Sequence, residues 1–155
     1  MINHILVAVD GSSFSVRASR LGAEILNGRS EGRLTLLYIA KSKTGLEWYQ
    51  GPGTDMEKVS EQERQALDGV FKKGLMVLDQ AKTVCLDLLK NQGVRVETLM
   101  VPGDPAQKIV EQAVKNSCDI IIMGSRGAGP LRSAFLGSVS QKVLASSPYP
   151  VLIVK

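Results

Sequence analysis

Residues 120–144 read IIIMGSRGAGPLRSAFLGSVSQKVL. Three isoleucines and a methionine form a short apolar run of the kind found in a strand covered on both faces. Four glycines and four serines then fall between Gly124 and Gln141. Gly137-Ser138 opens a short helix expected to run to about Ser146. A buried strand that passes through a glycine-rich turn into a helix is one unit of an alternating α/β chain.

The same unit recurs towards both ends. ILVAV (residues 5–9), TLLYIA (35–40), VETLMV (96–101) and VLIV (151–154) are further strand runs, rich in β-branched residues and leucine. Between them, Phe14, Ala18, Leu21 and Ile25 recur at helical spacing behind Ser12 and Ser13, either of which can cap. A long helix is expected from near Glu57 to near Asn91 and Gly93, with Leu67, Phe71, Leu78, Ala81, Cys85 and Leu88 on one stripe. Asp104-Pro105 is an N-cap followed by proline at the first helical position, and Ile109, Val110, Ala113 and Val114 supply the apolar face behind it.

Strands alternating with helices, joined by right-handed crossovers, predict a five-stranded parallel sheet, order 3-2-1-4-5, doubly wound in the Rossmann-like manner. In that order the chain reverses direction between the first and fourth strands, and ligands of such sheets bind beyond the strand carboxyl ends at that point. The two segments predicted to meet there are DGSS, from Asp10, and the glycine stretch.

The chain has 155 residues, 44% of them hydrophobic and 22% charged, which suits one domain spanning residues 1–155 with a sizeable core. Its 19 Lys+Arg exceed its 15 Asp+Glu by only four, with no basic run longer than Lys72-Lys73. That pattern argues against nucleic acid or a membrane surface as partner and is compatible with a small anion. Cys85 and Cys118 lie in apolar patterns without metal-ligand spacing and read as reduced core residues. No signal segment or membrane-length apolar run is visible, so the expected location is cytoplasmic. The one long irregular segment, residues 41–55, carries Trp48 and Tyr49 and is either a lid over the crevice or a plain connection.

Two familiar phosphate motifs fail on the glycine stretch. The dinucleotide fingerprint needs a glycine where Arg132 stands, and the phosphate loop ending in Gly-Lys meets Pro130 after Gly129. What remains is Gly124-x2-Gly127-x9-Gly137-Ser138. The first two glycines bare a strand end for close approach, and the third starts a helix whose N–H groups and dipole favour an anion.

This spacing resembles the nucleotide-binding motif of the universal stress protein family, in its ATP-binding branch. The resemblance extends over the chain through ILVAVDGS, GDPAQKIVEQA, DIIIMGSRG, LGSVSQKVL and PYPVLIVK. It implies an adenine nucleotide alpha hydrolase-like fold, ATP with Mg²⁺ as ligand, and a homodimer through the Val151–Val154 strand. It also implies that Asp10 lies near the ribose and the divalent ion, and that Ile39 marks where backbone groups read adenine. Met123, Gly124, Gly127, Gly137, Ser138 and Val139 would line the ribose and phosphates, and Gly103 would turn along one side of the pocket. The sequence departs from the family at Pro130 and at Tyr149.

Arg126 and Arg132 stand beside this anion site, and either can face phosphate. Ser125 and Ser140 read as local backbone partners. His4, the single histidine, precedes the first strand at the far end of the sheet, which excludes a histidine base in the crevice. No pair of carboxylates converges there, and no lysine serves as a charge clamp. The residues therefore favour ATP binding in a regulatory, stress-response role. A slow ATPase or autophosphorylating enzyme and a nucleotide-free dimeric scaffold stay open as alternatives.

Overall fold

Alternate side chains of the first strand, β1 (His4–Val9), enter two different cores. Ile5, Val7 and Val9 face one side of the sheet, while Leu6 and Ala8 face the other, as the twofold period of a strand requires. The computed structural model describes residues 1–41, 55–90, 93–127 and 136–155. Most of the 41–55 segment, with Trp48 and Tyr49, lies outside the described residues, as do Gly129, Pro130 and Arg132.

The remaining elements are α1 (Ser13–Leu26), β2 (Gly32–Ala40), α2 (Glu61–Leu89), β3 (Val94–Pro102), α3 (Pro105–Lys115), β4 (Ile120–Gly124), α4 (Ser138–Ser146) and β5 (Val151–Val154). All five strands pair in parallel in the order β3-β2-β1-β4-β5, which is the expected sheet. One face packs against α1 and α2 through Ala18, Leu26, Leu78, Ala81 and Cys85. The other packs against α3 and α4 through Ile109, Ala113 and Val143.

Several boundaries differ from expectation for identifiable reasons. The long helix begins at Glu61, because Ser60 and Glu63 form a reciprocal capping box that fixes the start there. Residues Met56–Lys58 make a separate 3-10 turn capped by Asp55. Of the two candidate caps of α1, Ser12 is used: its hydroxyl accepts the Ser15 N–H at 3.2 Å. His4 is the first residue of β1 and is buried, although it lies at the amino end of the sheet as expected.

The expected apolar stripe of α1 is only half-buried at Phe14, Leu21 and Ile25; its deeply buried face consists of Ser15, Ala18, Ser19, Gly22, Ala23 and Leu26. Small residues let the helix lie close on the sheet, and a Cβ on Gly22 would stand 3.0 Å from both Leu34 Cδ1 and Val7 Cγ2. On α3 the buried positions are Ala106, Ile109 and Ala113, with Val110 partly buried and Val114 exposed.

Candidate functional site

β1 and β4 are neighbours, and the chain leaves them towards opposite faces of the sheet, into α1 and towards α4. A crevice is expected where neighbouring parallel strands part in this way. Asp10 directly follows β1. Its Oδ1 accepts the Ser12 N–H at 2.9 Å, and its own N–H donates to Ser15 Oγ at 3.3 Å. Gly11, between them, has φ +85°, where a side chain would be strained. Oδ1 is thus held by the backbone of its own turn, and Oδ2 faces Gly127: a Cβ there would come to 2.9 Å from it.

Gly124 ends β4 opposite Val154 of β5. A Cβ on Gly124 would stand 2.6 Å from Phe14 Cβ and 3.1 Å from the Phe14 carbonyl carbon, so this strand end and the first turn of α1 are in contact. Ser125 is buried, its N–H donating to Val154 O at 2.7 Å and its carbonyl accepting the Gly137 N–H at 2.8 Å. Ser140 donates through Oγ to Gly124 O at 3.0 Å. The Ser140 side chain thus acts as a local backbone partner, as its sequence context suggested, whereas the Ser125 bonds are made by its main chain.

These bonds tie the start of α4 to the end of β4 across the intervening segment. Gly137 is the N-cap of α4 and makes no side-chain capping bond. A Cβ there would stand 3.9 Å from Gly127 N and 3.4 Å from Arg126 Cα. Ser138 is the exposed first residue of the helix and Val139 is half-buried against the α3/α4 core. The first N–H groups of a helix have no intrahelical partner and carry the positive end of its dipole.

Asp10, Gly124, Arg126, Gly127, Gly137 and Ser138 therefore gather at one end of the sheet. Met123 and Ile39 are strand residues whose buried side chains join the α3/α4 core, with Ile39 in register with Val101. Next to it, Ala40 O accepts the Gly103 N–H at 3.2 Å. Gly103 has φ +132°, and the Lys108 stem runs over it, 2.9 Å from a Cβ placed there. The Lys108 ammonium pairs with Glu111 at 2.7 Å. Asp104 caps α3 through the Gln107 N–H at 3.1 Å.

Three further residues belong to this end of the molecule. Phe14 carries Arg17 with its guanidinium carbon 4.8 Å from the ring centroid, and Arg126 at 5.6 Å. The i, i+3 spacing of Phe14 and Arg17 on α1 was the available sequence signal for the first contact. Tyr38, on the α1/α2 face of β2, has its hydroxyl pKa raised by burial and then by the Asp10 charge, so the phenol stays neutral beside the carboxylate.

Among the described residues no three His, Cys, Asp or Glu side chains are grouped to hold a metal by themselves. Mg²⁺ is commonly held by one or two carboxylates together with substrate phosphates, so the single Asp10 carboxylate fits a nucleotide-borne ion rather than a protein cage. His4 lies at the opposite end, its Nε2 2.9 Å from Thr35 Oγ1 and its Nδ1 2.9 Å from an Arg33 guanidinium nitrogen. Cys85 and Cys118 are free and buried, and burial lifts their thiol pKa values to about 12 and about 11. No described helix is long and apolar enough to cross a membrane.

Comparison with known proteins agrees with this architecture. The family model described as the Universal stress protein family matches residues 1–155. Universal stress protein YxiE of Bacillus subtilis is 32% identical over 162 residues, covering 100% of both chains. A universal stress protein of Thermus aquaticus, from the QAH/OAS sulfhydrylase 3′ region, is 31% identical over 157 residues with the same full coverage. The solved structure of MJ0577, a protein of Methanocaldococcus jannaschii, superposes with a TM-score of 0.78 at 26% identity, over 100% of this chain and 96% of that one.

More distant structures share the fold and were solved with nucleotides. A universal stress protein in complex with cAMP gives a TM-score of 0.65 at 21% identity, over 99% of this chain and 96% of that one. An Arabidopsis thaliana family protein with AMP bound gives 0.66 at 21%, over 99% and 91%. An Archaeoglobus fulgidus protein in complex with dAMP gives 0.59 at 18%, over 100% and 98%.

Proposed function

The chain belongs to the universal stress protein family, and we propose that it is an ATP-binding member with a regulatory, stress-response role, the nucleotide lying where β1 and β4 part. The observation that carries this reading is the Gly127–Asp10 contact below the start of α4. A carboxylate, a glycine whose Cβ position lies 2.9 Å from that carboxylate and a helix start without a side-chain cap converge there. The AMP, cAMP and dAMP of the related structures share an adenine base and a phosphate, which supports the same ligand class here.

In this reading the N–H groups at Gly127 and at the start of α4, from Ser138 and Val139, receive the phosphates. Arg126 adds a charge-assisted contact. Asp10 would hold Mg²⁺, with the Ser12 N–H keeping its carboxylate in place, and the ion would neutralise phosphate charge. Backbone groups beside Ile39 and at the Gly103 turn bound the adenine side, and Met123 lines the floor. Two copies pair through β5. The location is the cytoplasm, where the buried thiols of Cys85 and Cys118 stay reduced.

Binding is favoured over turnover by the placement of acid–base groups. His4 is at the opposite end of the sheet, and Asp104 is engaged as a helix cap. The deciding experiment is mass spectrometry of nucleotide released on denaturing freshly purified protein, with calorimetry of ATP in the presence of Mg²⁺. Bound adenine nucleotide supports the proposal; no nucleotide and no heat of binding refutes it. A turnover assay of the parent against Asp10→Ala separates binding from slow hydrolysis, because hydrolysis by this site must fall in the variant.

A further inference from the structure

Phe14 presents its ring to two guanidinium groups, those of Arg17 at 4.8 Å and Arg126 at 5.6 Å from the centroid. Side chains of a helix lean towards its N-terminus, so Arg17 reaches back over the first turn of α1 rather than away from it. That turn touches the end of β4 at Gly124. Arg126 comes from the other direction, its Cα 3.4 Å from the Cβ position of Gly137 at the start of α4. The ring thus gathers one cation from α1 and one from the β4 end.

Two positive groups on one ring repel each other, and among the described residues neither forms an ion pair with a carboxylate. The arrangement is relieved by an anion lying against both. Arg126 has its Cα beside the start of α4 whereas Arg17 comes from α1, so a phosphate chain that extends beyond the start of α4 can meet both guanidiniums, and a single phosphate seated there meets Arg126 first.

We infer that Arg17 and Arg126, hinged on the Phe14 ring, form a clamp for the outer phosphates of a nucleoside polyphosphate and make the protein select the triphosphate over the monophosphate. This rests on the adenine-nucleotide reading above. It adds Arg17 and Phe14, which lie outside the glycine motif, as residues that set ligand choice.

The test is calorimetry on the full chain with ATP, AMP and inorganic tripolyphosphate, repeated for Arg17→Gln. Arg17 is exposed on a helix and glutamine is a good helix former, so the variant keeps its circular dichroism spectrum. The parent binds ATP more tightly than AMP. The variant loses roughly five- to tenfold in ATP and tripolyphosphate affinity, about the worth of one charge-assisted contact, and less than about twofold for AMP. Its ATP affinity also falls less steeply with added salt. Phe14→Leu, which removes the hinge and leaves both charges, shows the same narrowing of the ATP-to-AMP ratio. Equal losses for ATP and AMP, or none for ATP, overturn the clamp while leaving nucleotide binding intact. Tripolyphosphate binding that depends on Arg17, in a protein that binds no adenine nucleotide, upholds the clamp and overturns the nucleotide reading. Binding of neither overturns both.

Discussion

Gly127 lies so close to Asp10 that a methyl group on it would come within 2.9 Å of Oδ2, while Oδ1 of the same carboxylate is held by the Ser12 N–H. Gly127→Ala therefore pushes on the carboxylate that accepts the Ser12 N–H in this turn. The expected loss is about 1 kcal/mol of stability, the worth of a capping bond. Because Asp10 and the Gly127 backbone then both leave their places, ATP affinity falls tenfold or more, at least about 1.4 kcal/mol. Calorimetry with Mg²⁺, alongside a thermal melt, checks both figures; unchanged affinity would remove Gly127 from the site.

Gly124 is constrained differently. Its phantom Cβ meets Phe14 Cβ at 2.6 Å, the Phe14 carbonyl carbon at 3.1 Å and Arg126 O at 3.2 Å, none of which is the far end of a flexible side chain. Gly124→Ala must separate β4 from α1, an overpacking cost of about 1–3 kcal/mol. A urea titration is expected to show a lower midpoint with unchanged slope. A midpoint equal to the parent's would mean that the two backbones are not in contact.

The amino end of the sheet predicts a pH dependence. His4 has its pKa lowered, first by burial and then by the Arg33 charge. With the folded value below the unfolded 6.5, the unfolded chain takes up the proton first as pH falls. Stability from this group is therefore intact above pH 6.5 and declines below it until the folded pKa is reached. Asp119 works in a lower window: its carboxylate accepts the His4 and Asn3 N–H groups, which depress its pKa below 3.8, so its contribution is lost in strong acid. Denaturation midpoints between pH 7.5 and 5 should fall in the parent and stay flatter in His4→Gln, whatever the fixed cost of that substitution; parallel curves would exclude His4 as the source.

The sheet order and the meeting of Asp10 with the glycine stretch were legible because each depends on local pattern plus one topological rule. Three continuous apolar runs show burial on both faces, and Asp104-Pro105 marks a helix start without tertiary information. The start of α2 differs from the expectation near Glu57 because Glu57 is compatible with a helix, whereas the Ser60–Glu63 capping box three residues later outweighs it. The deeply buried face of α1 differs from its apolar stripe for a similar reason. Phe14, Leu21 and Ile25 carry the hydrophobic signal, but the sheet approaches closely only where the helix offers serine, alanine and glycine. The Arg17–Phe14–Arg126 cluster was illegible beyond its i, i+3 half, because Arg126 reaches Phe14 only after β4 is laid beside β1.

Edge pairing supplies the last prediction. Pro150 O accepts the Ile121 N–H and Val154 O accepts the Ser125 N–H, so these carbonyls point inwards to β4. Alternation along the strand then turns the N–H and C=O groups of Val151 and Ile153 outwards, on a strand whose other neighbour within the described chain is absent. No charge or bulge interrupts Val151–Val154, and an uninterrupted edge invites a second copy. Antiparallel pairing about this segment brings the two Leu152 side chains near one another, and Leu152 is exposed in the single chain. Leu152→Lys then sets like charges across the pair without touching the core. Sedimentation at micromolar concentration is expected to give a dimer for the parent and a monomer for the variant, both with the same helical spectrum. A parent that sediments as a monomer, or a variant that stays dimeric, refutes pairing through β5.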